Sequence, residues 1–524
     1  MAEPVSRRSE ELLVTTSRLR APTGHGQILI VPALDQVGRL LERNRVHSQS
    51  CPITSDDLTF ADWRGLARRE LSAISQSYHA SADEREPALT GEAWLVAGHQ
   101  PEFFHPGVWF KNFALHHLAQ RLGATALNLV IDTDTAKSSH LYLPAGERLA
   151  QLPFDRTAPA LPYEERAVDD KAMFASVPER FAAIAQTWGF EPMLAEFWRE
   201  MPTTLLLGER FSHARRRVEQ RWGVAQAEAP MSQVCQTEAF ARFALAILTR
   251  LPEFHASYNE TVQTYRLAHG IRSRNHPVPN LTRDGDWLEA PFWVWQAGAN
   301  RRGRLLVKQA ADALHLRIGN EPRQIVPVRD GATAWRALES QGVKIRSRAL
   351  TTTMFLRLFV ADVFLHGIGG GIYDALTDDI IRRFFGVFPP DYLIVSATLN
   401  LPLPRFPDAA ERCRTLHRRS RDLIYQPERM LVDNALASEK HQWIERITAT
   451  HTERAARFSR LRELNTAMQP FLWQRIHETN AAIKAAEAES HAHAIASRRD
   501  YAFCLYPEAM LRSFFMHGEW RGGR

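Results

Sequence analysis

The sequence predicts an α/β protein built on a mainly parallel sheet, with helical and small β insertions and an antiparallel helical arm near its C-terminus. Three observations lead there. AWLVAG from Ala93, a helical pattern at about 107–121 and ALNLVID at 126–132 make a βαβ unit, and such units cross over right-handed and build parallel sheets. Helix and strand alternate again at 351–399, ending in YLIVSATL. From 408 to 497 the chain is rich in Ala, Glu, Arg, Gln and His, and apolar residues recur at helical spacing (Trp443, Ile444, Ile447; Phe458, Leu461, Leu464; Phe471, Leu472, Ile476, Ile483), which suits a helical hairpin.

Taken in order, residues 1–150 hold a lead-in and the first part of the core. QILIVP (27–32) reads as a short strand, LLVTT and LARRELSAIS as helices, and the βαβ unit follows. Residues 151–287 read as a helical insertion. In 288–330 the pattern changes to short strands, APFWVWQA, RLLVKQA and ALHLRIG, separated by polar turns, a small β-rich insertion. The second part of the core, 331–405, contains a helix at about 351–364, a glycine-rich turn, a helix at about 372–386 and YLIVSATL. The arm takes 406–497, and the apolar segment 498–524 is expected to pack back on the core.

With 524 residues, 45% of them hydrophobic, the chain can bury one large core with satellites. No window approaches the roughly 18 apolar residues of a membrane span, and the first residues lack the apolar run of a secretion signal, so a cytoplasmic protein without membrane contact is expected. Cys51, Cys235, Cys413 and Cys504 show no CxxC spacing, hence neither a disulfide framework nor a recognisable zinc site, and no metal site is assigned. Cys504, in YAFCLY, reads as a core thiol. The net charge of +6 is spread along the chain, 65 basic residues against 59 acidic, which argues against nucleic-acid binding. Only seven of the basic residues are lysine. Lys111 and Lys308 therefore stand out inside apolar stretches, although a snorkelling lysine is the commoner explanation.

Three segments could carry chemistry. GHQPEFFHPGVWFK (98–111) joins strand to helix, where open N–H groups and the helix dipole let Gly98, His99, Gln100, His105, Gly107 and Lys111 meet phosphate or carboxylate; a capped turn with stacked aromatics is the alternative. IDTDTAKSSH (131–140) sets Asp132 and Asp134 close together with His140 beyond them. Such carboxylates raise each other's pKa, hold a divalent cation, or cap a turn. In HGIGGGIYDALTDD (366–379), Gly369, Gly370 and Gly371 open a helix and permit close approach of a ligand, with Tyr373 and Asp374 following. It is neither a Walker loop nor GxGxxG. Arg346 and Arg348, before Thr351, Thr352 and Thr353, and the basic turn IRSRNHPVP (271–279) could bind an acidic ligand or serve as surface and caps.

In their order these segments resemble the BshC family, the cysteine ligases of bacillithiol biosynthesis. Gly98, His99 and Gln100 stand for that family's TGQQ-like turn, Asp132, Thr133 and Asp134 with His140 for its acidic loop, and Gly369 and Gly370 with Tyr373 for its glycine-rich segment. Asp362 falls where the family keeps an acid. His99 replaces a usual Gln, Lys111 comes about two positions early, and Asp374 replaces the neighbourhood of a Glu, so the chain resembles a divergent member. His105, Pro106 and Gly107 also resemble the start of the nucleotidylyltransferase His-x-Gly-His signature, with Val108 in the last place.

The resemblance implies a Rossmann-like, nucleotidylyltransferase-like core, a coiled-coil arm that supports a homodimer, and a ligase that attaches cysteine or a similar amino acid to the amine of a sugar conjugate. His99, His105, Asp132 and Asp134 would be its catalytic groups. Gly98, Gln100, Gly107, Lys111, His140, Arg348, Gly369, Gly370, Gly371, Tyr373 and Asp374 would bind the small-molecule substrate or nucleotide. The cofactor is left open, ATP with Mg²⁺ being the pair that carboxylate activation would use. The alternatives are a nucleotidyltransferase acting on a phosphorylated small molecule and a noncatalytic scaffold.

Overall fold

The computed structural model describes residues 19–522 apart from 56, 83, 85, 86, 88, 90, 157–159, 204, 300, 319 and 320, and the backbone alone at 321–324 and 522. The LLVTT helix expected near the start lies outside the described residues. The strands are β1 (Ile28–Val31), β2 (Trp94–His99), β3 (Thr125–Val130), β4 (His140–Ala145), β5 (Arg148–Pro153), β6 (Ala227–Pro230), β7 (Arg283–Asp284), β8 (Trp287–Gln296), β9 (Gly303–Gln309), β10 (Ala313–Ile318), β11 (Glu321–Pro327), β12 (Val343–Ser347), β13 (Val363–His366) and β14 (Tyr392–Ala397).

The protein is α/β, with a mixed, mainly parallel six-stranded sheet, an antiparallel sheet and a long C-terminal helix. The core sheet runs β1-β14-β13-β2-β3-β6, and every pair is parallel except β1 with β14. Its strands are apolar along most of their length because both faces are covered. Val96, Leu127 and Leu129 pack with Trp63 and Phe359 on one face. Leu95, Ala97, Leu365 and Val395 pack with Trp109, Phe110 and Phe113 on the other. The alternation of Leu95, Val96 and Ala97 between the two clusters is the period of a strand.

The helix Pro106–Leu122 fills the second face. Pro106 occupies its first turn, His105 caps it, and Gly123 ends it in the left-handed conformation at φ 60°. Phe503 and Phe515 of the C-terminal segment pack on this helix: the rings of Phe113 and Phe515 stack 4.2 Å apart with nearly parallel planes, and Trp109 meets Phe503 at 4.3 Å. Asp362 accepts from Arg64, Arg68 and the Trp94 N–H at 2.7–2.8 Å. It thereby ties β13 to β2 at their amino ends, opposite the edge where ligands collect.

The observed elements correct several expectations. Val363–His366, read inside a helix at 351–364, is the central strand β13; the helix is Ala349–Phe355, extended by a wider turn to Val360. The stretch 151–287 is not only helical, since β6 is a strand of the core sheet. The antiparallel sheet does not stop at 330: β12 pairs with β8 over five residues.

In the arm, the helix Ala409–Tyr425 lies antiparallel along the 46-residue helix His451–Ala496, and Ala435–Glu445 packs on the latter's first half through Ala437, Leu464 and Met468. Among the described residues no helix is long and apolar enough to cross a membrane.

Candidate functional site

From β2 the chain moves outward through β3 to β6, then returns to β13 on the other side of β2 and moves outward again to β14. The direction of winding reverses between β2 and β13. In open α/β sheets ligands bind in the crevice at the carboxyl ends of two such strands, which here is bounded by His99 and Gln100 at the end of β2 and by Gly367 after β13.

Lys111 lies on the second turn of the Pro106–Leu122 helix, and its ammonium donates to the Gly98 carbonyl at 2.6 Å, its one acceptor among the described residues. Burial pulls it down to about 8. His99 packs edge-on against Phe104, with Nδ1 3.1 Å from the Gln100 carbonyl. Burial, and then Lys111, push its imidazole down to about 3, so the ring is neutral at pH 7. Nδ1–H donating to that carbonyl leaves Nε2 as a hydrogen-bond acceptor.

Across the crevice starts the helix Ile368–Ile380. Its N-cap Gly367 offers no side chain, and Gly371 N–H is the first to reach back, to the Gly367 carbonyl at 2.9 Å. The N–H groups of Ile368, Gly369 and Gly370 are those a helix leaves without an internal acceptor, at the positive end of its dipole. Gly369 and Gly370 are exposed.

The two aspartates after β3 have opposite environments. Asp132 accepts from Ser232 N–H at 2.8 Å and Ser232 Oγ at 2.5 Å, but burial and the nearby Glu164 carboxylate push it up to about 7. Asp134 accepts from Gln100 Nε2 at 2.9 Å, Arg302 at 3.0 Å and its neighbour's N–H, and these hold it below the usual carboxylate range despite its burial. The two aspartates do not fit a Mg²⁺ held between them: Asp134 is already paired with Arg302, and both oxygens of Asp132 accept from Ser232.

The antiparallel sheet closes the rim. Arg302 also donates to the Thr133 carbonyl at 2.7 Å, and its guanidinium lies 4.7 Å from the ring of Trp293. Arg348 lies 4.3 Å from the same ring and pairs with Glu289 at 2.8 Å. Arg346 holds Glu164 at 2.9 Å and Glu339 at 2.8 Å. On the glycine side Tyr373 meets His276 edge-on at 5.6 Å. A small cavity beneath the 100–104 turn, among Gln100, Phe103, Asn112, Asn128 and Arg215, measures about 20 Å³, room for about one water.

Gly98, His99, Gln100, Lys111, Asp132, Asp134, Gly369 and Gly370 thus gather at the ends of three adjacent strands, with Tyr373 and Arg348 on the rim. Other expected site residues do different work. His105 is the helix N-cap, its Nδ1 accepting from Gly107 N–H at 3.0 Å; burial and then Arg499 push it to about 4. Gly107 seats the helix start against the Ala397 carbonyl, where a Cβ would collide. His140 lies on β4, edge-on to Tyr142 at 4.7 Å, with its N–H bonded to Ser138 Oγ.

The glycines 369–371 form the first turn of a helix and not a turn at positive φ. A Cβ at Gly371 would overlap Ile394, and one at Gly370 would approach His366 Nδ1 to 2.9 Å, while none of the surroundings of Gly369 comes within 4 Å. Asp374 is buried, accepting from His366 and Arg357 at 2.8 and 2.6 Å and from Thr353 at 2.6 Å. It anchors that helix to β13.

The chain matches no family model and no curated protein. Sequence reasoning did not single out Ser232, Glu164, Arg302 or Trp293. Ser232 lies two residues past the end of β6, but the short AEAP concealed that strand.

Proposed function

We propose that this chain is a ligase of the BshC kind, joining the carboxylate of cysteine or a similar amino acid to the amine of a sugar conjugate on a Rossmann-like core. One observation carries the reading: a buried lysine, an open helix N-terminus and a pair of carboxylates with divergent pKa values lie at the carboxyl ends of three adjacent strands, beside the point where the winding of the sheet reverses. Lys111 and the N–H groups of Ile368, Gly369 and Gly370 would hold phosphate or the negative charge developing on the reacting carboxyl. ATP, bound there, would supply the activation of the carboxylate. His99 Nε2 accepts a hydrogen bond from the incoming amine and orients it. Asp132, near 7, takes the proton the amine loses as the C–N bond forms. The amine enters neutral, so the one proton that Asp132 takes balances the C–N bond; Asp134, fixed by Gln100 and Arg302, holds the loop after β3 in place beside it. Arg348 and Tyr373 contact the ends of the substrate.

The arm is proposed to be an antiparallel coiled coil through which a cytoplasmic homodimer forms. Phe458, Phe471 and Trp473 are 62–67% exposed along its long helix, in a segment with little core of its own. Replacing the arm by a short linker should turn a dimer into a monomer by light scattering, and an unchanged mass rules out this interface.

The activity test incubates the purified protein with ATP, cysteine and an amino-sugar conjugate and follows the mass of the amide product. Binding of these compounds is screened in parallel by thermal shift and mass spectrometry. Amide formation supports the ligase. Pyrophosphate release with a phosphorylated sugar and no amide would identify a nucleotidyltransferase instead, and silence in both assays with no ligand bound would leave a scaffold.

A further inference from the structure

We infer that Cys413, His417 and Glu487 form a binding site for a zinc-class transition metal that clips the two long helices of the arm together. Cys413 and His417 are four residues apart on Ala409–Tyr425, so they share one face of that helix. Glu487 comes from the facing helix His451–Ala496. His417 Nε2 lies 3.2 Å from Glu487 Oε1, and the three ligating atoms all lie within 4.8 Å of one another.

Around a tetrahedral ion with bonds of about 2.0–2.3 Å, ligand atoms stand about 3.3–3.8 Å apart. Small side-chain rotations therefore seat the ion. A sulfur, an imidazole nitrogen and a carboxylate oxygen are a zinc-type set, and the thiolate selects against Mg²⁺ and Ca²⁺. Cys413 is partly buried, whereas His417 and Glu487 are 53% and 46% exposed, so the ion enters from solvent and water completes its coordination. Of the arginines that flank Cys413 and His417, Arg412 is paired with Glu489, which reduces its opposition to a bound cation.

The arm has reason to use a clip. Between these two helices few side chains are buried, Leu423, Ile483 and Ala486 among them, and the long helix carries Pro470 in its interior. A metal bound to the folded arm alone adds its binding free energy to the helix pairing. Binding is not a redox step: the Cys413 thiol gives one proton to solvent as the sulfur–metal bond forms.

The test uses the full chain, reduced, stripped with chelator and titrated with Co²⁺. One equivalent should bind with a thiolate-to-cobalt absorption band, one proton should be released, and Zn²⁺ should displace the cobalt and raise the melting temperature. Cys413→Ser, His417→Ala and Glu487→Gln, confirmed as folded by circular dichroism, should each weaken binding at least as much as the roughly 10- to 100-fold cost of losing an outer-shell partner. Cys51→Ser, which removes the other partly exposed thiol outside the arm, should keep the band. The site is refuted by a chain that gives no thiolate band, by a band that persists in Cys413→Ser, or by one that disappears in Cys51→Ser.

Discussion

The side chains of Gln100 and Asp134 are hydrogen bonded, Nε2 to Oδ2 at 2.9 Å, so the loops that follow two adjacent parallel strands are tied together at the carboxyl edge of the sheet. Arg302, from the antiparallel sheet, closes the other side of the same carboxylate. Removing that cation by Arg302→Ala should let Asp134 titrate at higher pH than in the parent. The expected loss of stability is about 1 kcal/mol, because the pair is only partly buried, and substrate affinity should fall about tenfold. Urea unfolding and binding measured on the same variant check both, and an unchanged affinity would remove Arg302 from the site.

Asp132 gives a pH dependence of definite sign. Its native pKa, pushed up to about 7, lies above the value near 3.9 of an unfolded aspartate. Between those values the native state binds more protons than the unfolded state, so this group makes stability fall as pH rises from about 4 to 7. Asp132→Asn should flatten that part of the stability profile and abolish the ionisation near 7 in the rate of amide formation. Glu164 interacts with Asp132, so the parent profile reports the pair. A rate profile that keeps its limb near 7 in Asp132→Asn would place the proton acceptor elsewhere.

The parts of this arrangement legible in the sequence are those with their own local pattern. WLVAG and ALNLV are short apolar runs with a Gly-His-Gln-Pro break and a helix between them, and they became β2, Pro106–Leu122 and β3. β13 was not legible, because LRLFVADVFLH runs on with no turn residue and an apolar run alone does not separate buried strand from buried helix. β6 was hidden differently: AEAP has almost no strand propensity, and Glu228 within it is buried only because Arg215, Arg216 and Asn128 surround it. The site residues were legible where they sit beside strand ends. Arg302 was not, since 168 positions separate it from Asp134 and no local pattern encodes that meeting.

Lys111 separates function from stability. Its pKa, pulled down to about 8, lies below the unfolded value near 10.4, so the native state binds fewer protons between those values and this group makes stability rise with pH from about 8 to 10. Lys111→Met removes the desolvated charge and keeps the apolar stem. Stability at pH 7 should be unchanged or higher, while nucleotide affinity should fall about tenfold or more. Calorimetric binding and thermal melting on one preparation test this, and a variant that binds ATP as the parent does would exclude Lys111 as a phosphate ligand.

The glycines of the Ile368–Ile380 helix make different demands. Gly371→Ala drives a methyl into Ile394 and should cost about 1–3 kcal/mol. Gly369→Ala meets nothing within 4 Å and replaces a poor helix former by a good one, so stability should rise by up to about 1 kcal/mol. Its methyl would stand at the crevice edge, and ligand affinity should drop. Denaturant midpoints and affinities for the two variants should therefore move in opposite order, and equal affinity in Gly369→Ala and the parent would mean that the ligand does not approach this turn.

The two histidines of the 98–111 segment provide the sharpest comparison. His105 accepts the Gly107 N–H as an N-cap, and loss of such a cap typically costs about 0.5–2 kcal/mol. His105→Ala should therefore lower the melting temperature, while each folded molecule keeps its ligand affinity; His105→Asn, which can still accept that N–H, should recover much of the stability. His99 is neutral, and the Nε2 left by its bond to the Gln100 carbonyl is the atom assigned to the amine. His99→Ala should weaken binding of the amine substrate and slow its coupling about tenfold or more, from a lost hydrogen bond of roughly 1–2 kcal/mol. Part of the Phe104 contact is lost too, so His99→Gln, which keeps an acceptor and most of the volume, is the necessary companion. Partial recovery of coupling in His99→Gln with melting close to the parent supports the orienting role. If both His99 variants instead melt early yet couple at the parental rate per folded molecule, His99 is a packing residue and the amine is oriented by another group.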